Sequence, residues 1–160
     1  LSKALRDAIY KRLAGGESPA LTGDFLTAQQ TLKSLLADDP DRAGYPAVIK
    51  GNRAKTVALP CVVYRSNSGV SDKRFGEGFA VGYPLFEFEV WTKEPSAKNL
   101  DLILEAVTVL LDVRQEAPPL PMAKGKFFHA NPFSEPMELY DDVRNEWALL
   151  QRWEFCEAQY

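Results

Sequence analysis

The sequence predicts an α+β fold: an antiparallel or mixed sheet of about four strands, with helices packed on one face and a long β-hairpin loop. Three observations lead there. Tyr83–Trp91 alternates, with Phe86, Phe88 and Val90 on one side and Glu87 and Glu89 on the other, the period of a half-buried strand. Ser96–Asp112 follows across a Pro-containing turn, and its Leu100, Ile103, Leu104, Val107, Leu110 and Leu111 recur at helical spacing. Asn145–Ala158 alternates again, with Trp147, Leu149, Trp153 and Phe155 opposite Leu150, Arg152, Glu154 and Cys156.

The remaining elements fit around this unit. Leu1, Leu5, Ala8, Ile9 and Leu13 share a helical face that Gly15-Gly16 terminates. Asp24 is placed to cap a second helix carrying Phe25, Ala28, Leu32, Leu35 and Leu36. Asp38-Asp39-Pro40 closes it, because proline cannot continue the hydrogen-bond ladder. Ala47–Lys50 and Leu59–Tyr64 are strand candidates, with Pro60 marking an edge or a preceding turn. Ser66–Gly82 holds four of the ten glycines and reads as a long hairpin loop or β-arm. Ala117–Pro136 holds five prolines and reads as an irregular segment that its phenylalanines attach to the rest.

A chain of 160 residues is expected to form one domain with an adequate core. Within it we expect N-terminal helices over 1–40, sheet and main helix over 47–112, a Pro-rich extended segment over 113–137 and a final strand over 145–158. The hydrophobic fraction of 46% and charged fraction of 26% are those of ordinary globular proteins. A net charge of −3 gives no electrostatic basis for wrapping nucleic acid. Cys61 and Cys156 lie in strand-like runs and read as buried free thiols, with a cross-strand disulfide as the alternative. No apolar run reaches the ~18 residues that span a bilayer, and Lys3, Arg6, Asp7, Lys11 and Arg12 interrupt the start where a signal peptide would be apolar. The simplest compartment is a reducing cytoplasm.

No residue set assembles a reaction. His129, the only histidine, has neither a nucleophile nor an orienting carboxylate beside it, so packing or surface exposure explains it better than general-base work. Cysteine and histidine pairs at ligand spacing are missing, and Asp38, Asp39 and Asp41 lack the glycine and terminal glutamate of a calcium loop. We expect neither metal nor cofactor. Gly76, Gly78 and Gly82 precede a strand, whereas a dinucleotide-binding loop follows one. Glu87 and Glu89 stand ~7 Å apart along their strand. A solvated sheet face accounts for them, with a channel wall, an assembly interface or an acid–base pair as alternatives. Lys73-Arg74 in the glycine-rich loop is either solvated charge or an ion-pairing element at a subunit contact. Pro118-Pro119-Leu120-Pro121 reads as a rigid connector rather than a polyproline ligand.

The order of elements resembles the tail-terminator (tail-completion, or minor tail) proteins of long-tailed phages and prophages. Ala4–Leu13 is similar to the opening helix of that family, and Leu59-Pro60-Cys61-Val62-Val63-Tyr64 to its leucine-proline-strand segment. Phe86-Glu87-Phe88-Glu89-Val90-Trp91-Thr92 with the Ser96–Asp112 helix resembles its most recognisable block, and Trp147–Phe155 its last strand. The Ala14–Tyr45 and Ala117–Pro136 segments are longer than in its smallest members.

The resemblance implies a non-enzymatic virion protein of the tail or neck, assembled in the host cytoplasm. It would form a hexameric ring that caps the tail tube protein, meets the head-side connector or stopper protein, and passes DNA without sequence-specific contact or any membrane. Phe75, Phe79, Phe128 and Phe133 would then anchor contacts between subunits or rings, with Lys73 and Arg74 beside them, and Glu87 and Glu89 would face the lumen. Two alternatives remain: a head-completion, stopper or other neck adaptor, and a small enzyme with its site around Glu87, Glu89 or His129.

Overall fold

A computed structural model describes residues 3–53, 57–67, 73–74, 80–93, 97–112 and 116–159. Helix α1 spans Lys3–Ala14, α2 Gly23–Leu35 and α3 Ala97–Leu111. The strands are β1 (Val48–Lys50), β2 (Cys61–Asn67), β3 (Lys73–Arg74), β4 (Ala80–Gly82), β5 (Leu85–Thr92), β6 (Lys126–Pro132), β7 (Met137–Asp141) and β8 (Glu146–Gln159).

The fold is α+β, as the sequence predicts, but among the described residues the mixed sheet has eight strands rather than about four. Part of the excess is length: β3 and β4 are two and three residues long, too short for a period-2 pattern to register. The larger correction lies at 113–137. The Pro-rich stretch is not wholly irregular, because β6 occupies Lys126–Pro132 and β7 starts at Met137. Its prolines flank the strands instead of interrupting them. Pro132 is the last residue of β6, on a strand paired only with β8, where a missing N–H costs little.

Strand β8 is the spine. One side pairs antiparallel with β5, from Leu85↔Glu154 to Thr92↔Trp147, and then with β4, from Gly82↔Glu157 to Ala80↔Gln159. The other side pairs with β7 along its first residues and with β6 along its last. Beyond β5 lies β2, antiparallel, and beyond β2 lies β1, parallel, as the outer strand. Within the expected Ser66–Gly82 hairpin, Lys73 pairs with Val81 and Arg74 with Ala80, while 68–72 and 75–79 lie outside the described residues.

All three helices lie on one face. The shared core takes Val62 and Tyr64 from β2, Phe86, Phe88 and Val90 from β5, and Leu149, Trp153 and Phe155 from β8. The helices contribute Leu5, Ile9, Leu13, Leu32, Ile103, Val107 and Leu110. Phe86 meets Phe155 edge-on at 5.1 Å and Phe88 meets Trp153 at 6.0 Å between ring centroids. Each such side chain contributes ~1.5–3 kcal/mol on burial, and suitably tilted ring pairs add ~0.5–1.5 kcal/mol. Among the described residues a second, smaller apolar cluster gathers Ala47, Val57, Cys61 and Val63, with Ile49 and Trp91 packed against it.

The helix ends are local. Gly15, at φ 108°, donates its N–H to Lys11 O at 2.9 Å and ends α1, since glycine adopts this left-handed backbone without a Cβ penalty. The N-cap of α2 is Thr22, so Asp24 sits inside the first turn rather than at the cap, where it still complements the helix dipole. Ser96, which its place before the apolar helical run makes the natural N-cap of α3, lies outside the described residues. Both cysteines are buried and free.

Candidate assembly surfaces

The residues singled out in the sequence fall at four places. Lys73 and Arg74 form β3 on the arm, and Phe75 and Phe79 lie outside the described residues. Phe128 projects from β6 and Phe133 follows it, 42% and 54% exposed. Lys126 sits over the Phe128 ring at 5.6 Å, a surface cation–π contact. Aromatic side chains are enriched at protein interfaces.

Glu87 and Glu89 lie on the sheet face opposite the helices, but they do not stand clear of partners. Register places Arg65, Glu87 and Arg152 in one row across β2, β5 and β8. Arg65 Nη2 lies 3.6 Å from Glu87 Oε1 and Arg152 Nε 4.0 Å from Glu87 Oε2. Opposite charges on directly facing strand positions stabilise a sheet by ~0.2–1 kcal/mol per pair. Glu89 is buried, paired with Arg65, and accepts Trp91 Nε1–H at 3.1 Å. Arg53 covers the Trp91 ring at 5.0 Å and is itself paired with the buried Glu146. This face is therefore a cross-linked polar layer, with Glu87 as the more accessible of its two β5 carboxylates.

His129 is in β6 rather than in a loop, opposite Cys156 on β8. Its Nδ1 is buried and finds no hydrogen-bond partner among the described residues. Burial pushes the Cys61 thiol up to about 12 and also raises Cys156, so neither resembles an activated nucleophile. Among the described residues no three His, Cys, Asp or Glu side chains are grouped to hold a metal ion, and no helix is long and apolar enough to cross a membrane.

Two surfaces escaped the sequence reading. The first is the β7–β8 hairpin. Among the described residues strand β7 pairs with β8 alone, and Met137, Leu139, Tyr140 and Val143 are 52%, 36%, 48% and 91% exposed. An open strand edge carrying apolar side chains is a liability unless something covers it. Its geometry is well fixed. Asp141 Oδ1 accepts the Val143 and Arg144 amides at 3.1 and 3.2 Å, Asn145 takes φ 55°, and Tyr140 packs on Trp147 at 4.4 Å. The turn residues Asp141-Asp142 and Asn145 were the signal available in the sequence.

The second is a cleft of about 370 Å³ beside α1, lined by Lys3, Lys11, Arg42 and Lys50 with Asp7, Tyr10 and Pro121. Lys50 Nζ lies 2.6 Å and Lys3 Nζ 3.3 Å from Asp7, and Lys50 holds the Asp7 carboxyl below the usual aspartate value. Arg42 and Lys50 both sit over the Tyr10 ring, at 4.7 and 5.2 Å. A separate depression, of about 360 Å³, runs between α2 and α3 past Phe25, Leu102 and Val109. Glu87, Glu89 and His129 line none of the clefts described here.

No family profile matches the chain, and no curated protein sequence matches it. Its fold does match solved structures. One is a chain in the virion of the native gene transfer agent (GTA) particle, with a TM-score of 0.54 and 14% identity over 70% of this chain and 78% of that one.

Proposed function

We propose that this chain is a structural virion protein of a phage-like particle, acting as a tail terminator. The observation that carries the reading is the fold shared with a chain of the gene transfer agent virion, extending over most of both chains. The order of opening helix, leucine-proline strand, Phe86–Thr92 block with its helix, and long closing strand points the same way. The surfaces suit assembly more than catalysis: an open apolar edge at β7, exposed Phe128 and Phe133, and an arm at β3–β4.

In this reading copies form a ring, hexameric in the family resembled, that caps the tail tube and meets the head-side connector. A ring needs a heterologous interface that closes on itself, and strand edges and projecting hairpins are natural elements for one. The arm with Lys73, Arg74, Phe75 and Phe79, and the Phe128–Phe133 strand, are the proposed contacts. The polar sheet face with the Arg65, Glu87 and Arg152 row is the proposed lumen wall. With Glu89 counted, two carboxylates balance the two arginines of that face, which would present DNA with little net attraction, so that it slides without sticking.

The test is deletion of the encoding gene in a particle-producing strain, followed by electron microscopy. Overlong or uncapped tail tubes support the terminator. Tails of normal length on heads that leak DNA indicate a head-completion or stopper protein instead. Normal infectious particles without the chain overturn both readings.

A further inference from the structure

The basic cleft and the β7–β8 hairpin are complementary and face apart. In the cleft four cationic side chains line up against one carboxylate, Asp7. Residues 135–145 carry Glu135, Glu138, Asp141 and Asp142 against Arg144. Excess charge is thus three positive on one side and three negative on the other. The nearby Asp39, buried with its Oδ1 accepting the Asp41 amide at 2.9 Å, is a second carboxylate beside the cleft and lowers its excess without reversing it, four cations standing against two carboxylates.

Position argues for a contact between copies rather than within one. Register runs in a single row from Val48 on β1 through Val62, Val90 and Leu149 to Glu138 on β7. Strands spaced ~4.8 Å apart put the two ends of that row ~19 Å from each other. Lys50 of the cleft belongs to β1, and the hairpin is the opposite edge, so one chain cannot bring its own two surfaces together. Opposite edges bearing opposite charge are what a head-to-tail contact requires. Self-pairing of two hairpins would instead place carboxylates against carboxylates.

We infer that the acidic β7–β8 hairpin of one copy docks into the basic cleft beside α1 of the next, head to tail, with Val143 at its tip. This rests on the ring reading above and names the surfaces that close it.

Sedimentation velocity on the full chain tests it. Self-association of the wild type should weaken at high salt, because the contact is electrostatic. K11E/R42E in the cleft and E138K/D142K on the hairpin should each weaken it at least tenfold, with circular dichroism unchanged. Mixing the two variants should restore it, because each reversed surface then meets its reversed complement. If both charge variants assemble like wild type, the contact is wrong while the ring reading stands. If wild type stays monomeric at every concentration, alone and with tail tubes, both fall. If K11E/R42E instead loses binding to a short DNA duplex and still assembles normally, the cleft is a phosphate site and the inference is overturned.

Discussion

Arg12 closes the end of α3 by donating Nη1–H to the Leu110 carbonyl at 3.0 Å, across 98 residues of sequence. The same guanidinium donates to Pro118 O at 2.8 Å, to Pro119 O at 3.0 Å and, through Nε, to Glu17 at 3.0 Å. Helix ends leave carbonyls without intrahelical partners, and here one planar, five-donor group satisfies three of the chain's carbonyls in a place water scarcely reaches. Both ionic side chains are nearly inaccessible, 2% and 4% exposed.

Arg12→Ala strands the Glu17 charge and three carbonyls. Removing one partner of a buried pair costs ~3–5 kcal/mol, read as a lower urea midpoint. Arg12→Lys should recover little of this, because an ammonium cannot span the same acceptors. Burial raises the Glu17 carboxyl above its usual value despite the guanidinium beside it. A folded-state value above the unfolded one makes its contribution fade as pH rises through the carboxylate range. Glu17→Gln should flatten that decline in urea midpoints between acid and neutral pH.

Glu89 and Glu87 should respond differently to the same change. Glu89 is buried and accepts from the half-exposed Arg65 and from Trp91, so Glu89→Ala should cost ~1–3 kcal/mol by removing the acceptor the two share. Glu87 is half-buried between two more exposed arginines. Glu87→Ala should cost under ~1 kcal/mol, as exposed pairs do. Equal losses in thermal melts would contradict this division of the polar face.

Gly125 turns the chain into β6 at φ 87°, and a Cβ there would lie 2.3 Å from the Ala158 carbonyl oxygen. Gly125→Ala meets both a strained backbone and a backbone collision that no side-chain movement relieves. The loss should exceed ~1 kcal/mol and should also loosen β6, seen as faster amide exchange from Phe127 to Asn131.

Cys61 and Cys156 are buried thiols whose surroundings disfavour thiolate. Under native conditions at neutral pH a thiol-specific reagent should label them far more slowly than it does in denaturant. Fast native labelling of Cys61 would mean that the small cluster with Val57 and Val63 opens readily.

The Tyr83–Asp112 stretch and the closing strand were legible because their apolar residues repeat at the period of the element they form. A half-buried strand or an amphipathic helix writes its own face into the sequence. Burial of Phe86, Phe88, Trp153 and Phe155 follows from that alternation. So does the α+β class.

What tertiary structure decided were the features whose partners lie far off in sequence. Strands β6 and β7 exist because β8 is long enough to pair both along one side, which no local pattern around five prolines announces. Arg12 looked like one of several surface charges on an amphipathic helix, and only the meeting of α1, α3 and residues 118–119 buries it. The basic cleft draws Lys3, Lys11, Arg42 and Lys50 from three separate segments, and the alternating row of Arg65, Glu87 and Arg152 comes from three strands. Periodicity fixes which face of an element is apolar. Which element faces which, and therefore where charges meet, is set by long-range packing that sequence spacing does not encode.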